Sequence, residues 1–200
     1  MKSVLISIKP KWCELIASGK KTIEVRKTRP KIEIPFKVYI YCTHARNPIR
    51  DSGRILMYED DLALTNRWGQ GKLVENPCGT MIEGEFFLNG KGIGEFVCDS
   101  IFMIWDGYAG NLGDDCLTFE ERENYLKGNN GYGWHISNLV IYDEPKDLDD
   151  FMSFGKTHCD QKNCRDCLYM GIDGICDVKD IGQPMKRPPQ SWCYVEELKE

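Results

Sequence analysis

Residues 5 to 29 read LISIKPKWCELIASGKKTIEVRKTR, and the change of periodicity inside this stretch decides the fold class. Residues 3 to 8, SVLISI, are a short apolar run rich in β-branched residues, which suits a buried strand. Pro10 stands where a first helical turn accepts proline, Trp12, Leu15 and Ile16 make an apolar stripe, and Gly19 supplies the stop. Thr22 to Lys27 then alternates with period two, setting Ile23 and Val25 on one face and Thr22, Glu24 and Arg26 on the other. The expectation is strand, short helix, strand, with Lys21 at the entry to the second strand.

Further strands are expected at Phe36 to Cys42, at Gly92 to Ile104 with a bulge at its early glycines, at Trp134 to Tyr142, and at Ser191 to Leu198. Thr118 and Glu121 have capping-box spacing ahead of Tyr125 and Leu126, so residues 118 to 127 should form a helix stopped by Gly128. Residues 45 to 80 are polar and punctuated by Gly and Pro, with weak helical hints from Glu59 to Trp68. Several strands interrupted by short helices, without regular strand and crossover alternation, favour an α+β mixed β-barrel over a doubly wound sheet. The chain is read as a single domain over 1–200 with a cysteine-rich insertion at 155–180.

The formal net charge of −5 argues against a polyanionic partner, but it is unevenly spread. Residues 1 to 50 hold 12 Lys and Arg against 3 Glu, a net of +9, which leaves −14 for residues 51 to 200. One end of the chain can therefore present a positive surface to an anion, or simply a solvated basic face. The opening MKSVLISIKP meets charge after a few apolar residues and does not read as a signal sequence, and no apolar run is long enough to span a bilayer. A cytoplasmic protein with no membrane partner is expected.

The motif Gly19, Lys20, Lys21, Thr22, Ile23, Glu24, Val25, Arg26 resembles the G-x-K-T-x-E-x-R signature of the ASCH family, whose members share a PUA-like barrel. Two more patches carry the resemblance, GYGWHISNLVIYDEP at 131 to 145 and RPPQSWCYVEEL at 187 to 198, both similar to bacterial and phage-borne ASCH proteins. The resemblance implies binding of RNA or a modified nucleobase or nucleoside in a cleft between the barrel and the helix after the first strand. Such a cleft needs cations for phosphate, a polar group for a base edge and an aromatic plate for stacking. Lys9, Lys21 and Arg26 would supply the first, Glu24 the second, and Trp12 or Trp134 the third, with His135 and Ser191 as further ligand contacts. Trp12 is equally readable as core, Glu24 with Arg26 as a surface ion pair, and His135 as a structural hydrogen-bonder. A prophage or host-defence accessory whose cleft holds a protein is a third reading.

One ASCH type hydrolyses N4-acylated cytidine with a lysine, a threonine on the motif strand and a glutamate. Lys21 matches the lysine, but Glu24 occupies the threonine's place, so that mechanism does not carry over unchanged. Lys21 and Glu24 are the catalytic candidates if the chain is a hydrolase of RNA or of such a nucleoside, with Glu24 or His135 moving the proton.

Cys159, Cys164, Cys167 and Cys176 follow the pattern C-x4-C-x2-C-x8-C. Four thiolates at this density suit a structural zinc site with no open position for water, and iron–sulfur ligation uses the same residue type. His158 and Cys193 are alternative ligands; Cys193 is assigned instead to the core.

Overall fold

Val4, Ile6 and Ile8 alternate along the first strand, β1 (Lys2–Ile8), and all three are buried in the main core. The computed structural model describes residues 1–43, 49–51, 54–58, 72–76, 79–83, 90–107, 114–154 and 182–199. Helix α1 (Pro10–Ala17) follows at once, because Pro10 at its first turn has no amide hydrogen to leave unsatisfied. Its apolar side sets Cys13 and Ile16 against the same core, and it ends where Gly19 takes φ +74°, in the left-handed region. Strand β2 (Ile23–Arg26) comes next but joins a different sheet from β1.

The larger sheet has five strands in the order β11-β8-β3-β1-β12. Here β3 is Phe36–Cys42, β8 Lys91–Cys98, β11 Ser137–Lys146 and β12 Trp192–Glu196. The β1–β3 pair is parallel and the other pairs of that sheet are antiparallel. The second sheet has the order β2-β10-β9, with β9 at Ile101–Ile104 and β10 at Gly131–His135. The core lies between the two, where Trp134 of the second meets Phe36 of the first edge to face at 5.9 Å. A four-stranded antiparallel sheet, β4-β5-β7-β6, is built from Ile49–Asp51, Arg54–Tyr58, Gly79–Glu83 and Lys72–Asn76. The helical hints from Glu59 to Trp68 lie outside the described residues.

Two expected strands are each two strands. The run from Gly92 to Ile104 breaks at Asp99 and Ser100, and the run from Trp134 to Tyr142 breaks at Ile136. At both breaks the chain crosses between sheets, and the corners are tied by His135 N–H to Ser100 O at 3.0 Å and Ile136 N–H to Thr22 O at 2.8 Å. These corners give the described residues two joined sheets; no closed barrel is present among them. The expected bulge is found: Ile40 pairs with Gly94 and Tyr41 with Gly92, leaving Ile93 as the extra residue. Helix α2 (Phe119–Leu126) has the expected capping box of Thr118 and Glu121, although Lys127, at φ 57°, takes the left-handed cap before Gly128.

At the bulge a Cβ on Gly94 would stand 2.4 Å from the Val140 carbonyl oxygen, a backbone atom that cannot rotate away. Gly94→Ala should therefore cost about 1–3 kcal/mol of stability, read as a lower urea midpoint. An unchanged midpoint would show that β8 and β11 do not approach this closely.

Candidate functional site

Period two on β2 puts Glu24 and Arg26 on one face, and the strand entry lets Lys21 reach the same volume, so three charged side chains meet. Arg26 Nη2 lies 3.0 Å from Glu24 Oε1, and Lys21 Nζ 3.4 Å from Glu24 Oε2. All three are buried, with 2%, 7% and 7% of Lys21, Glu24 and Arg26 exposed. Lys21 also donates to Ile23 O at 2.8 Å and Asp115 O at 2.6 Å, so two hydrogens of its ammonium are bound to backbone carbonyls. Arg26 Nη2 donates to Ser7 O at 2.7 Å and Nη1 to Ser191 Oγ at 3.4 Å.

One donor of Arg26 remains unsatisfied. Arg26 Nε, Ser7 Oγ and Trp134 Nε1 are buried and have no hydrogen-bond partner among the described residues. Ser7 touches Arg26 through its carbonyl, and Trp134 stands directly opposite Glu24 in the β2–β10 register. An orphaned buried polar atom costs about 1–3 kcal/mol, which a water or a ligand would relieve. Two cations against one carboxylate also leave the group with surplus positive charge. It is chemically suited to accept a polar, electron-rich guest.

The segment at 114 to 117 holds the strand entry in place. Asp114 O accepts from Thr22 and Ile23 N–H at 2.9 and 3.1 Å, Asp114 Oδ2 from Thr22 Oγ1 at 3.1 Å, and Lys20 O from Cys116 Sγ at 3.3 Å. That segment is pinned in turn to α2 by a buried pair, Arg122 Nε to Asp115 Oδ2 at 3.1 Å. Asp115, Arg122 and Ser7 were not singled out by sequence. Nothing in a GDDC stretch or a helical arginine announces a support 94 residues away from Lys21.

The other sequence candidates fall in different places. Trp12 is half-buried beside Lys21, whose Nζ is 5.4 Å from its ring centroid, and packs on the core edge. Ser191 is brought to Arg26, as above. Lys9 is exposed at the start of α1. Trp134 is 0% exposed and wedged between Phe36 and Trp192, each 5.9 Å away, so its faces are closed to a base arriving from solvent. His135 is next along β10 and turns to the opposite face, where its Nδ1 is 2.6 Å from Asp99 Oδ1; the structure does not bring it to Glu24.

The Asp99 carboxyl is held below its usual range by the hydrogen bond to His135. Cys193 packs partly buried beside Leu5 and Tyr39, and burial pushes its thiol up to about 11. Cys159, Cys164, Cys167, Cys176 and His158 lie outside the described residues. Lys20, Lys27, Arg29 and Lys31, which flank β2 in the sequence, are exposed cations.

Residues 6–60 match the ASCH domain model, and the ASCH domain belongs to the PUA-like superfamily. An ASCH protein from Zymomonas mobilis has a similar crystal structure, at 16% identity and TM-score 0.50, covering 98% of this chain and 88% of that one. A serine-to-alanine mutant of the Zymomonas protein gives TM-score 0.51 at 15% identity, covering 98% and 89%. At such identity the likeness is one of fold. No curated protein sequence matches the chain. Among the described residues no helix is long and apolar enough to cross a membrane.

Two outcomes follow from this geometry. Glu24→Gln removes the anion between two buried cations and should cost about 3–5 kcal/mol in urea denaturation, whereas an unchanged midpoint would mean the cations are solvated. Because Asp99 is lowered in the folded state, its contribution is present above the unfolded carboxylate pKa and is lost as pH falls through the lowered value. His135→Ala should return Asp99 to the ordinary carboxylate range when its carboxyl carbon is followed by NMR; an unmoved titration would contradict the pairing.

Proposed function

We propose that this ASCH-domain chain binds RNA, reading a nucleobase or its ribose at the Arg26 end of the Glu24 cluster. The observation that carries this reading is Arg26 Nε, buried without a hydrogen-bond partner among the described residues. A guanidinium fixed by Ser7 O and Glu24 is oriented in advance, and it keeps Nε–H for an acceptor on the guest. Ser191, already in contact with Arg26, offers a hydroxyl beside it. The exposed cations Lys20, Lys27, Arg29 and Lys31 would take phosphates and supply most of the affinity. Lys21 acts here as a positioning cation, since it is buried between two backbone carbonyls and Glu24.

Hydrolysis of an N4-acylated cytidine has less support. A lysine 2% exposed and held by two backbone carbonyls is a poor partner for a substrate oxygen, and Glu24 is clamped between two cations where that chemistry calls for a hydroxyl.

We also propose that Cys159, Cys164, Cys167 and Cys176 hold a structural zinc ion, on the strength of their spacing alone. Purified protein should contain about one zinc per chain by elemental analysis, and Cys164→Ser with Cys167→Ser should lose it. Full thiol reactivity without metal in the unmutated protein would refute the site.

For RNA, fluorescence anisotropy with a labelled single-stranded oligonucleotide should give a binding constant that falls steeply with salt. Lys27→Ala and Arg29→Ala should each reduce the log–log slope by about 1. Arg26→Gln, with folding checked by circular dichroism, should weaken binding at every salt concentration. Salt-independent binding, or none at 50 mM salt, would contradict the proposal.

A further inference from the structure

The three-stranded sheet has one covered face and one that opens progressively. On the covered face, Val25 and Ile104 pack with Leu126 of α2 into a small core. On the other, directly opposed residues form rows across the strands, since paired residues in an antiparallel ladder share a face. The first row is Glu24, Trp134 and Ile101, with Trp134 fully buried and Ile101 packed on the main core. The second is Arg26, Tyr132 and Met103. Along it exposure rises from 7% at Arg26, through a half-buried Tyr132, to 44% at Met103. Trp105, directly after β9, is 62% exposed.

The row therefore runs from a buried guanidinium with an unused N–H to large side chains standing in water. Strand β9 pairs only with β10 among the described residues, so its other edge carries no described strand. Met103 and Trp105, two residues apart, are both exposed, and large apolar side chains grouped at a surface mark an interaction site. Charge decides which partner. Arg29 lies 5.9 Å from the Tyr132 ring, and Lys31 is exposed on the same connection after β2. Aromatic rings interleaved with guanidinium and ammonium groups suit bases that stack and phosphates that pair, a combination that single strands offer and duplexes hide. Asp106 follows Trp105 and is exposed, which keeps phosphates toward the Arg29 side and bases over Met103 and Trp105.

We infer that single-stranded RNA lies across this row, one nucleotide at Arg26 and its neighbours passing over Tyr132 and Met103 to stack on Trp105. The inference rests on the RNA reading above and adds a path, a direction and a strandedness to it. From β2 to β9 the path is about 10 Å, two interstrand spacings, and Trp105 extends it by a further stretch of strand. Affinity should accordingly grow with length over the first few nucleotides and then level off.

The test is a series of oligouridylates from the mononucleotide to about eight residues, titrated against the full chain and against Trp105→Ala and Met103→Ala. The unmutated chain should gain about tenfold or more in affinity between the mononucleotide and the longer members. Trp105→Ala should abolish most of that gain while leaving mononucleotide affinity and the thermal midpoint unchanged, because Trp105 is a surface residue. An RNA duplex should compete poorly. Unchanged length dependence in both variants, or equal competition by the duplex, would overturn the path while the RNA reading stands. Absence of binding at every length would overturn both.

Discussion

Glu24 is one carboxylate shared by two buried cations, and the arrangement of this chain follows from the cost of keeping that group out of water. Removing any charge from solvent costs several kcal/mol, and the mutual attraction offsets it only when the remaining hydrogens are also satisfied. Lys21 meets that condition through two backbone carbonyls, and Arg26 meets it only in part. The two cations therefore do different work. Lys21 fastens the strand entry to the segment at 114 to 117, and Arg26 is held at one end with capacity to spare.

The fold makes this possible by turning corners. Because β8 continues into β9 and β10 into β11, residues adjacent in sequence face different sheets, and the chain can carry an apolar core on one side of a corner and a polar site on the other. Trp134 shows the division: its ring fills the core between Phe36 and Trp192, while its backbone pairs with Glu24. One residue on, His135 faces the opposite way and belongs to an unrelated surface pair with Asp99. The support beneath the site is equally indirect, since the buried Asp115–Arg122 pair fixes the carbonyl that holds Lys21.

Much of this was legible in the sequence because it rests on short-range periodicity. The period-two pattern of TIEVRK placed Glu24 with Arg26, the Gly19 stop placed Lys21 at the strand entry, and Thr118 with Glu121 marked the cap of α2. The corners are less legible: apolar composition continues through IFMI and LVIY, and the Asp99–Ser100 dipeptide, a turn signal, sits in a run that otherwise reads as one strand. An aromatic beside a charged motif reads the same in sequence whether buried or open, and only the opposing sheet makes Trp134 core rather than a stacking plate. Asp115 and Arg122 are long-range partners of the site, and local patterns carry no information about such pairs.

The central claim is that Arg26 keeps Nε–H in reserve for a guest. Titration of a uridine oligonucleotide into 15N-labelled protein, with the Arg26 Nε–H resonance observed directly, tests it. The account predicts a saturable shift of that signal, with the same midpoint as binding measured by anisotropy. A signal that stays fixed while the oligonucleotide binds would place recognition elsewhere and contradict it.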